Sequence, residues 1–112
     1  MHTLSNQQDL DIFLAEHPAA LLLYGGQSCG VCQSLKPRLT QLLAEQFPQM
    51  QAAYIDCQAD GATLCAQQRV MAVPVVQIWF QEQRFAEFFK VFALSDIQAA
   101  IARPYELMFN SL

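Results

Sequence analysis

Ala19-Ala-Leu-Leu-Leu-Tyr24, Gly25-Gly26 and then Cys29-Gly-Val-Cys32 form the stretch whose reading decides the fold. The first six residues are a short continuous apolar run, the pattern of a strand buried on both faces. The glycine pair breaks that run just before the cysteines. Two thiols separated by two residues close a small disulfide ring with little rearrangement, so they take up and release two electrons reversibly. If the motif opens a helix, its N-terminal N–H groups and dipole favour the thiolate of Cys29, and Cys32 can then attack a mixed disulfide formed there. Three other readings of the pair stay open at this level: a structural disulfide, half of a zinc site, or a vestigial site. A zinc ribbon requires a second close pair, whereas Cys57 and Cys65 are eight residues apart and neither His2 nor His17 is near in sequence. The sequence therefore assigns no metal.

Outward from the motif the chain reads as helix, strand, helix, strand, helix, strand, strand, helix. Ser5 with Gln8 resembles a capping box for a first helix to about Glu16, which Pro18 ends. A long helix from about Cys32 to Phe47 places Leu35, Leu39, Leu42 and Leu43 at helical spacing. Pro37 should kink it one turn after the motif. Gln51 to Asp56 predicts a strand, Gly61 to Arg69 a short helix, Val75 to Phe80 a strand, and Phe85 to Val91 its hairpin partner. Gln81-Glu82-Gln83 lacks Gly or Asn, so the turn type stays open. Ser95 with Gln98 predicts the cap of a last helix to about Arg103. Strands joined through helices pair parallel and a terminal hairpin pairs antiparallel, giving an α/β class with a mixed sheet and helices on both faces.

At 112 residues this is expected to be one domain, with residues 104–112 a tail or an extension of the last helix. Hydrophobic residues make up 54% and charged residues 14% of a chain with net charge −4. The six basic residues are scattered, which argues against nucleic acid as a partner. Neither a signal peptide nor a membrane-length apolar run is apparent, so a cytoplasmic protein that does not engage membranes is expected. Cysteines kept reduced there tend to be catalytic or metal-binding.

This order of elements, with C-x-x-C between strand and helix and an X-Pro before the next-to-last strand, resembles the thioredoxin family over nearly the whole chain. Cys29 and Cys32 match its nucleophilic and resolving cysteines, with Gly30 and Val31 between them. Pro37 matches the proline of its active-site helix, and Val73-Pro74 its cis-proline dipeptide. Ile55-Asp56 matches the end of the central strand, and Ala93-Leu94-Ser95 the lead into the last helix. The resemblance implies the thioredoxin fold and a thiol–disulfide oxidoreductase acting on protein disulfides or thiols. It implies a reductase or an oxidised partner to reset the pair, and no bound cofactor.

Val73 and Pro74 are then expected to guide an extended substrate. Phe92, where the family has glycine, either packs in the core or narrows the substrate groove. Ser28 replaces the usual Trp, Val31 the proline of the motif, Leu23 the buried acid that assists Cys32, and Ala52 the lysine that partners that acid. The implied consequence is slower exchange, because Cys32 has no evident general base. A thioredoxin-fold binding module or co-chaperone is the alternative. Cys57 and Cys65 are expected as small buried hydrophobes rather than a pair, and Lys36 as a solvated cation on the Cys32 face.

Overall fold

The computed structural model describes residues 1–110. Strand β2 (Ala19–Gly25) is buried along its whole length. It lies between β3 (Gln51–Asp56), parallel to it, and β4 (Val75–Phe80), antiparallel to it. A two-residue β1 (His2–Thr3) and the edge strand β5 (Gln83–Phe89) complete the sheet in the order β1-β3-β2-β4-β5. The mixed α/β sheet agrees with the expectation; β1 is too short to carry a periodic signal.

Because side chains alternate along a strand, β2 feeds two cores. Leu21 and Leu23 face α2 (Gly30–Gln46) and α4 (Leu94–Phe109), packing with Leu35, Leu39, Ile97 and Ile101. Leu22 and Tyr24 face α1 (Gln7–Glu16) and α3 (Ala62–Gln67), packing with Leu10, Phe13 and Leu64.

Both predicted caps move. Asn6, not Ser5, caps α1, its Oδ1 accepting the Asp9 N–H at 2.8 Å. Ser5 instead donates its N–H to the Asp9 carboxylate. Ala93, not Ser95, precedes α4, and its N–H donates to Asp96 Oδ2 at 2.8 Å. In each case a carboxylate three residues into the helix sets the start. Helix α4 also runs past Arg103 and through Pro104 to Phe109. Packing outweighs the hydrogen bond lost at Pro104: Tyr105 is buried, meets Phe47 edge-on and Phe109 at a tilt, and accepts the Gln49 N–H at 2.9 Å. Of the expected tail, Ser111 and Leu112 lie outside the described residues.

The β4–β5 turn has two residues, Gln81 and Glu82, with φ of 51° and 65°. That is the left-handed pair a type I′ turn needs, adopted here without Gly or Asn. β5 therefore begins two residues before Phe85 and ends before Val91, where Lys90 turns with φ 64°. A bulge between the Ile78 and Trp79 pairings shifts the register beside Phe85.

Candidate active site

Chain direction and local hydrogen bonding place the two cysteines differently. β2 ends at Gly25, and a turn closed by the Cys29 N–H on the Gly26 carbonyl (3.1 Å) brings Cys29 to the N-cap of α2. Its sulfur accepts the Cys32 N–H at 3.2 Å. Cys29 remains half-exposed, whereas Cys32 is fully buried one turn in. The two form a disulfide with Cα atoms 5.2 Å apart. Helix α2 has no acidic residue in its first turn to offset the positive end of its dipole, so negative charge on the Cys29 sulfur is favoured once the pair is reduced.

The floor under the pair is tight. A Cβ on Gly25 would lie 3.0 Å from both Cys32 Cβ and Tyr54 Cε1. A Cβ on Gly26 would strike the Gln58 side chain, whereas one on Gly30 would meet open space.

Leu23 is fully buried beneath α2, opposite Tyr54 on β3, and Ala52 lies diagonally on the same face. Where the resemblance implies an acid and a lysine, this face is apolar. Two polar groups beside the floor, Gln33 and Tyr54, are ones the sequence reading missed. Gln33 Nε2 donates to the Gly26 carbonyl at 3.1 Å and to the Tyr54 hydroxyl at 3.4 Å. Burial, with Asp56 adding to it, holds the Tyr54 phenol above its ordinary pKa, and the Gln33 bond opposes that shift. Lys36 is not simply solvated: it is half-buried, with its ammonium 4.2 Å from the Tyr54 ring centre. The spacing Gln33–Lys36 on one helix face was the available signal, but only β3 shows which side chain they meet.

The Val73–Pro74 peptide is cis. Pro74 lines two adjoining cavities, of about 410 and 370 Å³. The first is walled by Gly30, Val31 and Phe92. Phe92 is half-buried against Phe88, with ring centres 6.0 Å apart, so it packs on the core and borders the cavity at once. Pro37 lies within α2 and lines neither cavity.

Cys57 and Cys65 correct the expectation, since they form a second disulfide with Cα atoms 5.6 Å apart. One follows the end of β3 and the other lies in α3, whose start at Gly61 is packed against Ile55 and Asp56. That packing turns α3 back onto the strand. The Cys57 N–H donates to the Gly25 carbonyl at 2.8 Å, and Gln58 Oε1 accepts the Ser28 N–H at 2.8 Å. The second pair therefore adjoins the loop that carries the first. Among the described residues no three His, Cys, Asp or Glu side chains gather as a metal site.

The thioredoxin family model matches residues 2–103. A curated relative, thioredoxin-like 3-2, chloroplastic, from Arabidopsis thaliana, is 34% identical over 59 residues, covering 53% of this chain and 31% of that protein. The chain thus spans less than a third of the length it matches there. Among solved structures, Fasciola hepatica thioredoxin superposes with a TM-score of 0.81 at 21% identity, over 92% of this chain and 98% of that one. Thioredoxin O2 from Arabidopsis thaliana, in its oxidised state, does so with 0.78 at 16% identity, over 93% of each. At such identities the structures establish the fold, and the family model carries the kinship: the chain belongs to the thioredoxin family.

Proposed function

We propose that this domain, spanning residues 1–112, exchanges disulfides with protein substrates, Cys29 attacking and Cys32 resolving. Family membership and a C-x-x-C pair at disulfide distance support thiol–disulfide oxidoreductase chemistry in general. The observation that carries the assignment of roles is the asymmetry of the pair: Cys29 half-exposed at the N-cap, Cys32 sealed behind it.

The Cys29 thiolate attacks one sulfur of a substrate disulfide, and the other substrate sulfur leaves as a thiolate that takes a proton from water. Cys32, losing its proton, attacks the Cys29 sulfur of the mixed disulfide and expels the second substrate thiolate. The substrate gains two electrons and two protons while the pair becomes a disulfide. A dithiol reductase resets it; an oxidised partner would drive the same steps in reverse. Val73, Pro74 and Phe92 hold the substrate segment, and Gly30, Val31 and Pro37 shape the motif and its helix. No cofactor or metal takes part in these steps.

With Leu23 in place of an acid, Cys32 has no carboxylate to accept its proton, so release is slower than in relatives that keep one. A reducing cytoplasm suits a pair that cycles this way. The net charge of −4 argues against nucleic acid, and no helix of the described residues is long and apolar enough to cross a membrane.

A binding-module reading is favoured by one observation, the highly exposed apolar side chains Val31, Met71 and Val91 (65%, 90% and 97%). Insulin reduction by the wild type, coupled to a dithiol donor, tests the exchange reading. Turnover that Cys29→Ser abolishes supports it; no turnover, with a client still held non-covalently, gives the binding module.

A further inference from the structure

We propose that the groove bordered by Val31, Pro74 and Phe92 selects substrate segments carrying a carboxylate beside the disulfide, through Arg38 and Lys90. This rests on the exchange reading above and names its substrate class. The groove of about 410 Å³ is lined by Arg38 from α2 and by Lys90 just after β5, and among the described residues no Asp or Glu lines it. The cavity on the other side of Pro74 holds Arg69 and, again, Lys90. Its carboxylate, Glu87, already accepts from Gln77 at 2.8 Å and pairs with Arg84 at 3.4 Å. Half of the chain's six basic residues thus surround Pro74, on a protein whose net charge is −4.

Among the described residues nothing pairs with these cations as a salt bridge, and the ion pair present there, Arg84–Glu87, involves none of them. Lys90 Nζ lies 5.7 Å from the exposed Phe89 ring, which leaves its remaining directions to solvent or a ligand. An extended segment that places its disulfide at Cys29 and lies in the cavity beside Pro74 comes within reach of Arg38 and Lys90, which both line it. A carboxylate on that segment meets complementary potential, whereas an ammonium meets repulsion. Two surface cations acting on one carboxylate correspond to roughly a threefold to tenfold preference.

The test uses the reduced wild-type protein and three disulfide peptides that differ by aspartate, asparagine or lysine next to the cysteine. Each second-order rate is divided by that for dithiothreitol, which removes the neighbour's own effect on the disulfide. The aspartate peptide should react about threefold to tenfold faster than the asparagine peptide, and the lysine peptide slowest. The spread should collapse in molar salt, where the screening length is about 3 Å. In Arg38→Gln/Lys90→Gln the aspartate-to-asparagine ratio should fall towards one, and in Arg38→Glu/Lys90→Glu the order should invert. Equal rates for the three peptides in the wild type, or a ratio the double substitution leaves in place, would overturn the selection while the exchange reading stands. If no peptide is reduced, the exchange reading fails and the selection with it.

Discussion

Replacing Leu23 by Asp puts a carboxyl at a fully buried point of β2, under α2 and opposite Tyr54. Two losses follow. The leucine's burial contributes about 1.5–3 kcal/mol. A carboxyl shut away from water has its pKa raised, and a lift of about two units adds about 2.7 kcal/mol at neutral pH. The sign is fixed by linkage: with the folded pKa above the unfolded one, the charge penalty is absent below about pH 4, grows as pH rises from the unfolded to the folded pKa, and is constant above that. Urea unfolding should therefore show a deficit of about 2–3 kcal/mol near pH 4 and about 4–6 kcal/mol near pH 7.5, a large share of a domain's usual stability.

Adding Ala52→Lys should recover about 1–3 kcal/mol of that at the higher pH, read as the coupling in a double-mutant cycle. The lysine stem has room, because Ala52 borders an open cavity of about 530 Å³ beside Thr40, Leu43 and Met50. Above neutral pH the new base should also speed release of a mixed disulfide from Cys29, by about tenfold or more. A deficit below about 1 kcal/mol that does not change with pH would refute the burial of position 23 and the reasoning built on it.

Three further outcomes are expected. Alkylation of the reduced protein at neutral pH should label Cys29 before Cys32, and Cys32→Ser should trap clients as mixed disulfides that mass spectrometry maps to Cys29; labelling in the opposite order would exchange their roles. Tyr24→Phe should stabilise the protein by about 1 kcal/mol near neutral pH, since the Tyr24 hydroxyl is buried without a partner among the described residues. Burial, with Glu87 adding and Arg84 opposing, pushes that phenol up to about 12, so the wild type should lose about 1.4 kcal/mol relative to the variant between pH 8 and 11. Cys57→Ser/Cys65→Ser should cost about 2–3 kcal/mol against the oxidised wild type, from the loop of eight-residue separation it releases, and nothing comparable once both are reduced; denaturant titrations with and without reductant check this.

Much of the fold was legible because burial on both faces leaves a plain mark. The run Ala19–Tyr24 reads as an interior strand, and the leucines at 35, 39, 42 and 43 read as one face of a helix, as found. The errors share a cause. Ser5 and Asn6 are equally good caps in composition, and only the position of Asp9 decides between them. Cys57 and Cys65 look alike as buried hydrophobes or as a bridge, because the choice depends on how α3 turns back on β3. The Trp79–Gln77–Glu87 chain of hydrogen bonds beneath the edge strand joins neighbouring strands and leaves no periodic trace. At the site, the cysteine pair and Pro74 were readable as motifs; Gln33, Tyr54 and Gln58, which support the loop, were not.

The turn at Gln81 and Glu82 has a consequence for the order of folding. A hairpin closed by asparagine and glycine can form early and alone, whereas these two residues resist the left-handed geometry they occupy. The link that helps fix the turn is non-local, from the Gln81 N–H to the Pro18 carbonyl at the entrance to β2. Docking of β4 on β2 is therefore expected to precede zipping of β5 onto β4, and amide exchange should find β5 the least protected of the long strands. Lys90 and Phe92 follow the end of that strand, so one border of the groove is expected to open together with it.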